Sequence, residues 1–372
     1  RVPGLTWMRL PFFIWTQLVT SFLLLLAFPP LQAAAIFQLC DRLIGTGFFD
    51  PFAGGSVLLY QHLFWFLAHP EVYVLILPAL GIVAEIIANN IRKPLWGYKS
   101  MVYSSIWLGF MSFIVWAHHM FLTGMGTTMS SFFMITTMII SIPSVVILSA
   151  LFLSLWGGRI RFNTPMLFAL SFLPMFGIGG LTGLPLGLAT ADIHLHDTYY
   201  VIGHFHYVVA PGTIFAIFAG LYFWFPKITG KTMSETLGKI HFWGSLVCMN
   251  GIFMPMFLQG LTGVSRRLAT GGYDYAHAQE VLYLNQIMSI SAFALFAFQL
   301  FFIFNFFWTL FRKRYETETD TNPWQATTIE WTDTSSPPLG HGNFEIIPSV
   351  YRGPYEYSVD GHKKDYYPQT EK

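Results

Sequence analysis

The sequence predicts an all-α fold, a polytopic transmembrane helix bundle of eight spans, and three observations carry that reading. Of its 372 residues 54% are hydrophobic and only 10% are charged, against roughly a quarter charged in an ordinary soluble domain. The hydrophobic residues are gathered into long runs rather than spread in amphipathic stripes. The Lys and Arg residues between the runs alternate in abundance, as the loops of a membrane protein do.

The runs, in order, occupy residues 11–39, 57–90, 99–122, 128–156, 164–188, 198–225, 236–261 and 280–311. Each supplies the roughly 20 apolar residues that a hydrocarbon core about 30 Å thick demands of a helix, the form that satisfies its own backbone where lipid cannot. Pro and Gly inside several of them are tolerated in membranes.

Orientation follows from the loops. One side collects Arg1, Arg9, Arg92, Lys93, Lys99, Arg159, Arg161, Lys227, Lys231, Lys239, Arg312, Lys313 and Arg314; the other holds Arg42, Arg266 and Arg267. The first side is the inner one. The pair Arg266-Arg267 defies the rule and calls for a local anion, for which a ligand carboxylate would serve. The expected organisation is a membrane bundle over 1–314 and an inner-side tail over 315–372. That tail is rich in Pro, Gly, Tyr and charge, too poor in apolar residues to fold alone, and expected to lie along the bundle or a neighbouring subunit.

Several classes drop out. With a net charge of +1 and no basic stripe interleaved with aromatics, nucleic acid is not the partner. Cys40 and Cys248 have no C-x-x-C spacing, which argues against thiol or zinc chemistry. The opening, Arg1 to Arg9, is not a signal peptide, and the chain is expected to continue before it.

Of the twelve histidines, His69, His118, His119, His204 and His206 fall inside predicted spans, where ionisable side chains are costly and mark function. The second span enters from outside and reaches His69 after roughly 18 Å at about 1.5 Å per residue. The third runs outward and meets His118 and His119 near its end; the sixth meets His204 and His206 in its first two turns. All five share the outer half of the bilayer. His204 and His206 lie about 200° apart on a helix and would serve two separate centres, as two haem irons would require. His118 and His119, about 100° apart, can face one cavity with His69, and three imidazoles with an open position suit copper. Tyr73, four residues after His69, places a phenol on the same face. Glu71 points elsewhere and is expected to be a buried carboxylate and proton-relay candidate. A single such histidine is more often a packing or hydrogen-bonding residue; five at one depth are not. The aromatic runs Phe301-Phe302 and Phe306-Phe307-Trp308 are read as packing or lipid contact.

The motifs His69-Pro-Glu-Val-Tyr73, Trp116-Ala-His-His-Met-Phe121 and His196-Asp-Thr-Tyr-Tyr-Val-Ile-Gly-His-Phe-His206 resemble those of subunit I of haem-copper oxygen reductases of the cytochrome c oxidase type. The resemblance runs from Arg1 to about Phe311 and implies the last eight of that subunit's twelve helices. It implies copper on His69, His118 and His119, with Tyr73 covalently joined to His69; high-spin haem iron on His204; low-spin haem iron on His206; and Glu71 passing protons. It further implies magnesium at His196 and Asp197 beside subunit II, haem propionates held by Asp192, Arg266 and Arg267, and haems of the a type. Implied partners are subunits II and III, a chain or segment supplying the other helices, lipid, and cytochrome c or quinol as electron donor. The expected location is a bacterial inner membrane, with the mitochondrial inner membrane as the alternative.

Two departures qualify the resemblance. The second low-spin-haem histidine belongs to helices outside this sequence, and Ile147 stands where the family usually has a proton-channel lysine. Thr136, Thr137, Ser141, Ser144 and Glu85 are the candidates for a substitute route. Competing readings are a nitric oxide reductase, disfavoured by Tyr73, and a non-catalytic paralogue or transporter, disfavoured by the complete ligand set.

Overall fold

In the computed structural model the described residues are 2–315, 318, 320–332, 334–338, 344, 346–361 and 363–372. Arg1 of the inner-side charges and Glu316, Thr317 and Thr319 of the tail lie outside them. Among the described residues are eight helices long and apolar enough to cross a membrane, and the only β pairing is two isolated bridges, Thr198 with Ser265 and Tyr357 with Tyr366.

Six spans are single helices close to their expected bounds, the first four being α1 (Phe12–Leu43), α2 (Val57–Ile91), and, after the broken third span that begins with α3 (Tyr98–Met111), α4 (Gly126–Leu155) and α5 (Thr164–Leu186). A short α6 (Ala189–Leu195) leads to the sixth span, α7 (Tyr199–Val208) followed by α8 (Phe215–Thr229). Then come α9 (Glu235–Leu261) and α10 (Tyr283–Phe311), the last two single-helix spans, and a one-turn α11 (Ile329–Thr332) in the tail.

Two spans depart from regular helix, both beside the histidines. The third passes into 3-10 geometry over Ser112–Ile114 and Trp116–Thr123, with Met120 out of helical conformation. In the sixth, a π turn at Val209–Ile214 separates α7 from α8. Pro211 lies within it and has no N–H for a regular ladder; π turns of this kind recur at functional sites.

The core is all-round apolar, as buried helices are. Ile76, Leu80, Val83 and Ile87 of α2 pack with Phe168, Phe172, Phe215 and Phe242 in its largest cluster. By contrast, one face of α10 is open, with Phe293, Phe296 and Phe304 all more than half exposed.

The C-terminal segment packs against one end of the spans. Trp331, Tyr355 and Tyr357 are buried. The Trp324 indole donates to the Phe223 carbonyl at 2.7 Å, and the Gln369 amide to the Arg9 carbonyl at 2.8 Å. Arg92, its side chain 1% exposed, pairs with Asp365 at 2.7 Å and lies over the Tyr357 ring.

Candidate metal centre

His69 projects from the middle of α2, and the 3-10 turn of Trp116–Thr123 brings His118 and His119 against it. At 3.0 residues per turn the two neighbours diverge by about 120° rather than the 100° of an α-helix. Both still reach the same point. His69 Nδ1 is 3.2 Å from His119 Nε2, and His118 Nε2 is 3.1 Å from the same nitrogen. Nitrogens held about 2.0 Å from one metal in tetrahedral directions sit roughly 3.3 Å apart. Among the described residues this is the one group of three ligating side chains with all ligand atoms within 4.8 Å of one another.

The surroundings fix these rings. His118 Nδ1 shares a hydrogen bond with Thr137 Oγ1 at 2.9 Å, which leaves Nε2 for the centre. The Trp65 indole stacks on His119, centroids 3.9 Å apart and planes 10° from parallel. The Tyr73 ring lies 4.9 Å from that of His69. His69 Nε2, facing away from the trio's shared point, is buried without a hydrogen-bond partner, a costly state for an imidazole nitrogen.

His204 and His206 leave α7 on opposite flanks, as their spacing requires. The Nδ1 of His204 donates to the Gly179 carbonyl at 2.8 Å with Thr182 Oγ1 at 3.3 Å, and its ring fills the space over Gly183, where a Cβ would meet Cε1 at 2.6 Å. His206 Nδ1 donates to the Ile202 carbonyl at 2.9 Å, and its ring stacks on Phe253 of α9. In both rings Nε2 is left to act as an acceptor or ligand.

One expectation changes. Glu71 is exposed, not buried: two residues beyond His69 it turns about 200° away, onto a stripe with Leu75 (39% exposed) that no described element covers. Arg266 binds Asp197 of this chain, through Nε at 2.7 Å and through a second guanidinium nitrogen. Arg267 is exposed with a left-handed backbone (φ 65°).

His196 lies between two acids, its Nδ1 3.4 Å from Asp192 Oδ2 and its Nε2 3.8 Å from Asp197 Oδ2. The Asp192 contact raises its pKa above the ordinary histidine value. Asp192 itself is 3% exposed. Ile147 is fully buried in the largest apolar cluster, while Thr136 and Ser141 bond to carbonyls of their own helix. Glu85 points to α1 and the tail, not toward these hydroxyls, so the five polar candidates do not form one route. Sequence reasoning missed Thr137 as a histidine partner, Trp65 as a stacking plate, and Gly179, Thr182 and Gly183 as the seat of His204. The Trp65 spacing, four residues before His69 and one turn along the same face, was the available signal.

A family model described as Cytochrome C and Quinol oxidase polypeptide I matches residues 1–294. The chain is 44% identical over 98% of its length to cytochrome c oxidase subunit 1 of Synechocystis, of which it covers 64%. It is 42% identical over its whole length to the alternative cytochrome c oxidase subunit 1 of Bradyrhizobium diazoefficiens, again covering 64%, and 43% identical over 94% of its length to cytochrome c oxidase subunit 1 of Bacillus subtilis, covering 55%. It thus spans less than two thirds of the length of these relatives. A solved heme-copper terminal oxidase dimer superposes with a TM-score of 0.69 at 20% identity, covering 83% of this chain and 58% of that one, which extends the agreement to the fold. This chain is an integral membrane protein that belongs to the family of cytochrome c and quinol oxidase polypeptide I.

Proposed function

We propose that this chain is the C-terminal, metal-binding portion of the catalytic subunit of a terminal respiratory oxidase, which reduces dioxygen to water with protons drawn from the inner side and couples this to proton translocation. The observation that carries the proposal is the convergence of His69 Nδ1 and His118 Nε2 on His119 Nε2, at 3.2 and 3.1 Å, beside the Tyr73 phenol, with two further histidines presented to separate flanks of α7.

The residues fit the groups the family implies. His69, His118 and His119 hold copper, and His204 and His206 each offer Nε2 to a haem iron. Bound there, these groups supply the electron transfer and oxygen activation that no side chain can. The chain's own residues position and protonate. Thr137, Gly179 and the Ile202 carbonyl fix the tautomers and planes of their histidines, which keeps the ligands oriented without solvent. Trp65 and Phe253 hold two rings by stacking. Tyr73 stands where it can give a hydrogen to oxygen beside His69. The unpartnered His69 Nε2 supports a covalent link to Tyr73, since a bond there removes the cost of a buried bare nitrogen.

The finer assignments follow the same reading. The two haems are of the a type. Glu71 relays protons from a face of α2 that the remaining helices of the subunit cover. His196 and Asp197 contribute to a magnesium site shared with subunit II, and Asp192, Arg266 and Arg267 hold haem propionates. Subunits II and III complete the assembly in a bacterial inner membrane, and cytochrome c or quinol gives electrons through subunit II. Residues 1–314 form the membrane bundle and 315–372 its inner-side tail.

The test is a reduced-minus-oxidised optical spectrum of the purified complex, with and without carbon monoxide, together with oxygen uptake on reduced cytochrome c and on quinol. Two haem signals, one sensitive to carbon monoxide, with oxygen uptake on one donor support the proposal. A haem-free preparation overturns it and leaves a scaffold without chemistry.

A further inference from the structure

Glu85 is a carboxylic acid 7% exposed near the inner end of α2, and the copper-centre geometry does not use it. It accepts the Phe13 amide of α1 at 3.1 Å and a hydrogen bond from the Tyr355 hydroxyl of the tail. The Tyr355 hydroxyl in turn accepts the Phe12 amide at 2.7 Å. Glu85 therefore sits where the first turn of α1, the tail and α2 meet, on the side rich in Lys and Arg.

From that point a polar line runs outward along the contact between α1 and α2. One turn up α2, Gly81 has Thr16 of α1 directly against it: a Cβ at Gly81 would lie 2.4 Å from Thr16 Oγ1. One turn further along α1 is Thr20, 6% exposed, whose hydroxyl is buried without any hydrogen-bond partner among the described residues. A further turn brings the cluster of Val19, Leu23, Leu77 and Leu108, against which Tyr73 packs. From Glu85 to Tyr73 is twelve positions of one helix, roughly 18 Å at about 1.5 Å per residue. An apolar interface has no use for a bare hydroxyl; a buried hydroxyl of this kind is ordinarily completed by water. On the α4 face Thr136 and Ser141 bond to their own helix and Ile147 is sealed in the core; Thr16 likewise donates to the Phe13 carbonyl at 2.8 Å, so of these four hydroxyls Thr20 alone lacks a partner among the described residues.

We propose that the α1–α2 seam is a proton route in which Glu85 is the inner loading site and the Thr16 and Thr20 hydroxyls, bridged by water, pass the proton to the cavity beside His69 and Tyr73. This rests on the oxidase reading above. The Glu85 carboxyl releases its proton into the hydroxyl and water line, each hydroxyl accepts one proton and hands on another, and the last proton enters water formed from oxygen. Glu85 is reprotonated from the inner aqueous side past Tyr355. No electron moves along the seam.

The experiment compares the intact complex with its Glu85→Gln and Thr20→Val forms, after haem and copper have been quantified in each. The first readout is the infrared carboxylic acid band absent in Glu85→Gln. In Thr20→Val this band is expected to persist but shift, because the water line that touches Glu85 is broken. If Glu85 only ties α1 to the tail, the band stays in place. The second is turnover, expected to fall at least tenfold in both variants at unchanged haem and copper content. Wild-type turnover in Thr20→Val, or an unshifted band, overturns the route while leaving the oxidase reading intact. A wild-type complex without haem and copper overturns both. If Glu85→Gln does not assemble, Thr20→Val decides from turnover and from band position in the carboxylic acid region, since it exchanges a hydroxyl for a methyl of similar shape.

Discussion

Gly183→Ala is a small change with an outcome fixed by the seat of His204. The added Cβ would lie 2.6 Å from Cε1 of that ring and 3.3 Å from each ring nitrogen, where ordinary contact begins at about 3.4 Å. The ring must retreat by roughly 0.8 Å. A shift of that size takes the 2.8 Å bond to the Gly179 carbonyl to about 3.6 Å, beyond useful hydrogen-bonding range. Losing it costs about 1 kcal/mol net, while Gly to Ala inside a helix returns roughly 0.5–1 kcal/mol. The two nearly cancel, so the midpoint of thermal unfolding should change little. Ligand orientation has no such compensation, and loss of an outer-shell partner typically costs 10–100-fold in affinity or activity. The assay pairs a melting curve with the carbon monoxide difference spectrum per mole of protein. A near-normal melt with a diminished or displaced carbon monoxide signal is expected; a wild-type spectrum would refute the placement of His204.

Three further outcomes follow from other contacts. Thr137→Val removes the hydrogen bond that orients His118 Nδ1, so copper retained after chelator challenge should drop about tenfold or more, and Thr137→Ser should restore it. Glu318 accepts from Arg312, from the Thr232 amide and hydroxyl and from the Tyr315 amide, and the Arg312 contact chiefly holds its pKa below the ordinary value of 4.5. A depressed folded pKa gives stability that is complete above 4.5 and is lost as pH falls toward the folded value; Glu318→Gln should remove that acid-side slope, read from melting curves across pH. Finally, Asp365→Asn leaves the buried Arg92 without its charge partner, which destabilises more than losing an exposed pair would. Limited proteolysis should then cut the 346–372 stretch sooner, while Lys364→Gln, at an exposed pair, should not.

Much of this was legible in the sequence because hydrocarbon imposes length and polarity on every span. The eight apolar runs end within a few residues of the helices, and residues that cannot rest in lipid, such as His69 and His118, stood out without a structure. The irregular turns were not legible. Nothing in Trp116-Ala-His-His announces a 3-10 helix, which arises from packing between α2 and α4, and the π turn before Phe215 carried only Pro211 as a sign. Polarity alone also did not tell that Glu71 lies on a face of α2 that no described element covers, since burial depends on which elements cover a face and not on depth. Arg266 meets Asp197 across a loop, 69 positions away, a distance over which pattern reading has no hold. Thr137 was visible only as one hydroxyl among several on α4; its partner is decided by the rotation of that helix about its axis.

The most direct test of the central claim is copper quantification with X-ray absorption at the copper edge on the intact complex. One copper per chain is expected at this centre, with a shell of three imidazole nitrogens at about 2.0 Å, lost in His118→Ala. A copper-free complex, or a shell dominated by sulfur or carboxylate oxygen, would contradict it.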